Sequence, residues 1–396
     1  MKMEDQGQLA KTQNVDLPPE IMHDILSRLP VKPLCRFKCV SKPWQSLISD
    51  PVFVANYSKA AIAFLRRRRL FFTYFHGKKI RVYSLNLDQQ LLNENPNNVD
   101  GLVASPTELD FGRDWRILGG SIHSSSSAGL FLCELFSSSR FEGWGLINPV
   151  TKESKKLPKP PILRLPLKPY IVFYGLGFDH STNEHKVING QEYWEEGIVF
   201  SVYTLQTDSW RQIDHLYPYT FECGEVLVNG AVHWLVSKVA DRSRVIISFH
   251  LAEEEVREIA LPPDATDHGT LYSLYLGSFR NSLYVTWSPT MMVNEFWVMK
   301  EYGVQESWTK MQISKPYSSI SHSGFWTESH DLMVFDSSSL VMYNFNDGTF
   351  WNLTVGNVDM FWDIGVYVES LPSVSLRRVK KMNPLDSVLK YLSSCF

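Results

Sequence analysis

A chain of 396 residues suits one small and one large domain, and 44 % hydrophobic with 13 % aromatic residues marks a folded rather than a disordered protein. A formal charge of -3 excludes global attraction to nucleic acid or acidic membranes, so neither is expected as a partner. Five scattered cysteines (Cys35, Cys39, Cys133, Cys223, Cys395) form no disulfide framework or zinc motif, and no uninterrupted run of 18 apolar residues occurs. A reducing compartment, cytoplasmic or nuclear, is therefore expected, with no metal, no cofactor and no membrane span.

Residues 1–15 are polar and unpatterned, a loose tail. Leu17 and the prolines Pro18 and Pro19 then open a helix, because proline lacks only an N–H that a first turn cannot use. Ile21, Met22, Ile25, Leu26 and Leu29 form its apolar stripe, and Pro30 ends it. Pro33 opens a second short helix with Leu34, Phe37 and Val40 on one side. Ser41 and Pro43 open a third carrying Trp44, Leu47 and Ile48, and Asp50-Pro51 stops it. From Leu17 to Val54, 18 of 38 residues are apolar, and a unit of roughly 40 residues is too small to bury them all. Part of that surface is expected to meet another protein. The competing reading is a helical cap on the rest of the chain.

From about residue 70 the pattern becomes short β-branched and aromatic runs bounded by turn residues: LFFTY (70–74), GLFLCELF (129–136), EGIVFSVYTL (196–205), VIISFHL (245–251), NSLYVTW (281–287) and DLMVFD (331–336). A strand, a polar turn and a return strand opened by a bulky residue recur. Taking Lys155, Trp210, Arg257, Trp308 and Trp351 as equivalent gives a mean spacing of 49 residues. That period fits four-stranded propeller blades. Asn229-Gly230 and Arg280-Asn281 offer tight hairpin turns. The fold class predicted is therefore α+β multidomain: a small all-α unit of three short helices at 16–56, a basic linker at 57–69, an all-β propeller-like domain of six or so blades at 70–371, and a C-terminal tail at 372–396.

The Leu-Pro start, the turn Leu26 to Lys32, the run RFKCVSK (36–42) and Trp44 stand in an order that resembles the F-box. NPVTK (148–152), YGLGFDHSTNEHKVI (174–188), NGAVHWL (229–235) and YVESL (367–371) resemble the F-box-associated, kelch-related domain of plant F-box proteins, with a four-serine run (Ser124 to Ser127) as a departure. The resemblance implies a non-catalytic substrate receptor of a Skp-cullin-F-box ubiquitin ligase. Its F-box would bind the Skp-type adaptor, and through it cullin and RING subunits, while the propeller recruits an unidentified protein substrate. Adaptor contacts are then assigned to Leu17, Pro18, Ile21, Ile25, Leu29, Pro30, Val31 and Leu34, and the F-box core to Leu26, Phe37, Val40, Trp44, Leu47 and Ile48. The first 60 residues alone are expected to carry adaptor binding. A propeller enzyme or glycan-binding module with a helical cap, and an adaptor-binding scaffold outside the ligase, stay open as alternatives.

Other chemistry-bearing groups are read blandly. Cys35 and Cys39 lack a third metal ligand and serve as small apolar fillers. Gly175-x-Gly177 lacks the third glycine of a dinucleotide loop and is read as strand glycine near the propeller axis. Asp179, His180, Glu184 and His185 form the densest titratable group but have no nucleophile beside them, which suits a solvated hairpin tip. His233 is read as a satisfied inner-strand histidine, and Glu253 to Glu255 as a hairpin turn. Arg66 to Arg69 with Lys78, Lys79 and Arg81, and Arg377, Arg378, Lys380 and Lys381, are read as solvated or edge-protecting charge.

Overall fold

A computed structural model of the protein describes residues 18–50, 52–54, 56–57, 68–76, 79–86, 102–104, 106–109, 122–127, 129–137, 140–162, 168–263, 273–288, 293–327, 330–336, 339–355, 364–371 and 374. Three helices, α1 (Pro19–Arg28), α2 (Val31–Phe37) and α3 (Lys42–Ile48), are followed by helical residues at 52–54 and 56–57. The remaining described residues are strands and the turns that join them, with a 3-10 turn at Gln305–Ser307.

A hairpin of β1 (Arg68–His76) and β2 (Lys79–Asn86) precedes the short β3 (Leu102–Ala104) and β4 (Thr107–Glu108). Four consecutive four-stranded meanders come next. They are β5 (Ile122–Ser127), β6 (Leu130–Ser137), β7 (Arg140–Asn148) and β8 (Glu153–Lys156); β9 (Ile171–Asp179), β10 (Glu184–Tyr193), β11 (Gly197–Thr204) and β12 (Ser209–Tyr217); β13 (Tyr219–Val228), β14 (Ala231–Lys238), β15 (Arg244–His250) and β16 (Glu255–Ile259); then β17 (Ser273–Phe279), β18 (Ser282–Ser288), β19 (Val293–Met299) and β20 (Trp308–Tyr317). A further sheet holds β21 (Ile320–Trp326), β22 (Asp331–Phe335), β23 (Ser339–Tyr343) and β24 (Phe350–Val355), with β3 added in parallel to β24. Finally β25 (Ile364–Val368) returns to pair with β1, completing the sheet β25-β1-β2-β4.

The result is a six-bladed propeller. The inner strands β25, β5, β9, β13, β17 and β21 touch one another in that order and close the ring. Two exchanges lock the closure: the C-terminal β25 fills the inner position of the first blade, and the N-terminal β3 extends the last. Pairing among the first four strands of each blade is antiparallel, so turns between first and second strands, and between third and fourth, lie on one face, called lower here. Second-to-third turns and the connectors between blades lie on the opposite, upper face.

All six predicted strand runs are strands. Lys155, Trp210, Arg257, Trp308 and Trp351 all lie on the fourth meander strand of their blades. Their register is corrected at two places: Lys155, Arg257 and Trp351 stand third after the turn, whereas Trp210 and Trp308, which face Tyr203 and Met299, hold the position one residue earlier that Ser154, Val256 and Phe350 take in their blades. The lower-face turns repeat a local rule. Lys152, Asp208, Glu254 and Gly348 end four-residue connections in the left-handed region (φ 59, 53, 58 and 73°), and each N–H bonds the carbonyl four residues back at 2.8–3.0 Å. Arg280 and Asn281 (φ 48 and 66°), like Asn229 and Gly230 (φ 50 and 72°), give the two left-handed residues that a two-residue hairpin turn needs.

Gly175 and Gly177 lie on the inner strand β9. A Cβ on Gly175 would fall 2.6 Å from Val232 Cγ1, and one on Gly177 would fall 2.3 Å from Leu251 Cδ1. These positions are glycine because neighbouring blades converge there. The four-serine run belongs to β5, another inner strand, where small residues meet the same need.

Candidate interaction surface

The helical segment is seated on the lower face. Leu26, Val31, Leu34, Ile48, Phe53 and Tyr57 form one buried cluster with Leu371, the residue three past β25, and Val150 of the β7–β8 turn packs against it. Asn148 Nδ2 donates to the Ser370 carbonyl at 3.2 Å, and the Val374 N–H donates to Glu153 Oε2 at 3.2 Å, fixing the post-β25 chain beneath the helices. A cap reading and an interface reading therefore share the same helices, which dock on the propeller and still leave one face bare.

That bare face belongs to α1. Met22, Leu26 and Leu29 turn inward, whereas Ile21 and Ile25, one helical turn apart, are 49 % and 46 % exposed, and Pro18 is exposed beside them. The predicted single stripe is thus two faces about 100° apart, set by 3.6 residues per turn. Asp24 and Arg28, an exposed pair at 3.0 Å, border this surface. Tyr57 supports α1 from below: its hydroxyl donates to the Leu29 carbonyl at 2.7 Å, satisfying a carbonyl the helix end leaves open.

Three assigned positions change. Val31 and Leu34, expected at the partner surface, are fully buried, because Pro30 (φ -62°, ψ 155°) turns the chain so that their shared face enters the core. Val40, expected in the core, is 62 % exposed: α2 ends at Phe37, and Val40 closes the following turn through its N–H to the Phe37 carbonyl at 3.0 Å. Leu26 and Ile48 are core as expected. Phe37 and Trp44 pack edge to face at 5.2 Å, half-buried with Leu47 and Leu29. Pro30 is exposed, and Leu17 lies outside the described residues. Ser41 caps α3, accepting from the Trp44 N–H at 3.4 Å, and Asp50 Oδ1 accepts from Val52 and Phe53 at 2.9 and 3.1 Å.

The polar cluster of the propeller is spent on joints between blades. Lys186, buried, meets Asp179 Oδ2 at 2.8 Å, Glu254 Oε1 at 3.0 Å and the Leu251 carbonyl at 2.7 Å, and Glu254 also pairs with Arg211. Burial opposes ionisation of Asp179, but hydrogen bonds from Lys186, Ser181 and Thr182 outweigh it and hold its carboxyl below the usual range. Burial pushes His185 down to about 4 although its ring meets the Ser127 carbonyl at 3.2 Å. The expected solvated tip is therefore corrected: Asp179 and His185 are interior, while His180 alone of the four is exposed. His233 is buried between the Val226 carbonyl (3.0 Å) and Tyr302 hydroxyl (2.7 Å), on a second rather than an inner strand, with its pKa pushed down to about 4 by burial. Glu254 is turn in backbone but a half-buried ion partner in side chain. Arg280 and Asp331 tie the fifth and sixth blades at 2.6–2.9 Å.

Three basic residues of the first cluster are likewise engaged. Arg69 pairs with Glu369 at 3.0 Å, Arg68 lies over Trp326 at 4.3 Å, and Arg81 pairs with Glu108 at 2.8 Å. The assigned linker is shorter than 57–69, since Tyr57 is core and Arg68 begins β1. Arg66, Arg67, Lys78, the N-terminal tail, and the C-terminal tail apart from Val374, with its basic cluster, lie outside the described residues.

The family description "F-box associated beta propeller domain" matches residues 75–374, and "F-box domain" matches residues 15–56. The chain is an F-box protein with an F-box-associated propeller. Among curated relatives from Arabidopsis thaliana, it is similar to F-box/kelch-repeat protein At3g23880, 27 % identical over 90 % of this chain and 96 % of that one, and to F-box protein CPR1, 28 % identical over 76 % and 74 %. TolB from Acinetobacter baumannii aligns over 80 % of this chain and 72 % of its own at 10 % identity, with a TM-score of 0.43. F-box membership implies binding to a Skp-type adaptor and supports a substrate-receptor role in general. Among the described residues, no helix is long and apolar enough to cross a membrane.

Phe53, Tyr57, Val150 and Leu371 complete the F-box core without having been singled out in the sequence. Phe53 and Tyr57 stand four apart after Asp50-Pro51, a readable helical signal. Leu371 closes the YVESL run, but it is more than 300 residues from the helices it packs against, and nothing local announces that contact.

Proposed function

We propose that this chain is the substrate-recognition subunit of a Skp-cullin-F-box ubiquitin ligase. The adaptor sits on Pro18, Ile21 and Ile25, with Leu29, Pro30 and the neighbouring Leu17 at its edge, and the propeller recruits the protein to be ubiquitinated. The observation that carries this reading is the pair Ile21 and Ile25, half-exposed on a helix whose other face is buried against the neighbouring helices and Leu371. A helix offering apolar residues at i and i+4 is one side of a helix-in-groove contact. The chemistry would reside in the partner E2 and RING subunits, and this chain raises the concentration of target lysines around them. Engagement of Asp179, His185 and Lys186 in blade joints supports the non-catalytic role.

The test compares Ile21→Asp/Ile25→Asp with Leu34→Ala by adaptor co-purification and thermal melting. The first variant should lose at least tenfold in adaptor affinity and keep its melting temperature. The second should lose about 2–5 kcal/mol of stability, the usual cost of a core Leu-to-Ala change, with binding reduced only as far as folding is. Normal adaptor affinity in the double Asp variant would sink the assignment.

A further inference from the structure

The blade built from β9 to β12 carries an unusual amount of bare apolar surface at its upper end. Tyr170 is 62 % and Trp194 57 % exposed, and their rings pack perpendicularly at 4.9 Å. Ile162, Val172 and Leu216 are exposed around them. Cross-strand register explains how they share one side. Val172 faces Gln191, Gln191 faces Val199, and Val199 faces Leu216, so all point to the side of the sheet that lower down buries Tyr174, Leu176, Val187 and Tyr203 against the preceding blade. The inter-blade core thus continues upward as an open shelf.

The shelf is held in place. Gln191 Nε2 donates to the Pro161 carbonyl at 2.8 Å, fixing the chain next to Ile162, and the Tyr170 N–H donates to the Glu192 carbonyl at 2.7 Å. A bulge in β12, between the pairs Val199–Leu216 and Ser201–Gln212, re-aims Leu216. Gly197 (φ 132°) allows the approach of Tyr217, whose carbonyl oxygen lies 2.2 Å from where a Cβ would stand. Rigid exposed aromatics are what anchored protein contacts use.

We infer that this shelf is the main docking site for target proteins, and that it takes a segment with one large apolar anchor followed by lysine or arginine. The inference rests on the receptor reading above. Glu195 and Glu196, both exposed, form the turn beyond Trp194, and with the single exposed Lys168 two residues before Tyr170 they leave this end of the shelf with an excess of negative charge. A basic flank is therefore favoured on the Trp194 side. The shelf is on the upper face and the F-box on the lower, so a target and the adaptor do not compete for space.

The experiment uses the full chain bound to its adaptor and a displayed library of random twelve-residue peptides. Enriched peptides should carry an aromatic or large aliphatic residue with a neighbouring Lys or Arg. The best of them should lose at least tenfold in affinity with Trp194→Ala. Glu195→Lys/Glu196→Lys should weaken it also and should recover binding of a peptide whose basic residues are replaced by Glu. Adaptor binding should be unchanged in each variant. No enrichment, enrichment without this pattern, binding indifferent to Trp194→Ala, selective oligosaccharide capture, or self-association that Trp194→Ala abolishes would each overturn the shelf assignment. Failure of the wild-type chain to hold the adaptor would instead overturn the receptor reading, whatever the peptides do.

Discussion

Val31, Leu34 and Val40 show what one residue's neighbours do to its reading. All three are apolar and lie on or just after α2, yet two are buried and one is bare, because the turn at Pro30 and the end of α2 at Phe37 decide which way each points. Those are backbone events, weakly written in side-chain pattern. Burial likewise decides the chemistry of His185 and His233, whose pKa values fall from 6.5 to about 4. An unfolded chain binds protons on both imidazoles between those limits and the folded one does not, so stability is complete above pH 6.5 and is lost as pH falls toward 4. From pH 7 to pH 5 the loss should be about 2 kcal/mol apiece, since a tenfold difference in proton affinity is worth about 1.4 kcal/mol. Urea midpoints at the two pH values check this, and His233→Gln should flatten the dependence. An unchanged slope in that variant means His233 is charged in the fold.

The six strands most legible in the sequence are β1, β6, β11, β15, β18 and β22, and every one is a second or third strand of its blade. Middle strands are covered on both faces, and so read as continuous apolar runs. Inner strands are less legible: β9, β13, β17, β21 and β25 each contain glycine and β5 is serine-rich, because bulk is excluded where blades converge. Blade number became readable only through the spacing of outer-strand turns, which repeat a geometry rather than a residue. Gly175→Ala tests the convergence argument. Its Cβ would meet Val232 and Trp234, both fully buried, so the variant should lose about 1–3 kcal/mol, as overpacked cores do. Adding Val232→Ala should return part of that loss. A Gly175→Ala protein of normal stability would mean that the inner strands are looser than this packing requires.

At the scale of the whole molecule, the sequence announced two units and concealed that they share a core. Leu371 comes from the end of the propeller and lies at 1 % exposure among Leu26, Val31, Leu34 and Ile48. Its position depends on β25 closing the ring against β1, so ring closure and F-box packing are one event. The expectation that the first 60 residues suffice for adaptor binding is revised accordingly: a fragment ending there lacks both Leu371 and Val150, and a unit of that size has little stability to spare. Leu371→Ala in the full chain should destabilise the helical segment by about 2–5 kcal/mol, the range for emptying a buried leucine site. Hydrogen exchange should then quicken in residues 18–57 while the strands of the third and fourth blades keep their protection. Adaptor affinity should fall in the same proportion as the folded fraction of the helices, and more steeply still in the isolated 1–60 fragment. If that fragment melts and binds like the full chain, or if Leu371→Ala leaves exchange in α1 and α2 untouched, the F-box is an independent module and the shared core contributes nothing to its fold.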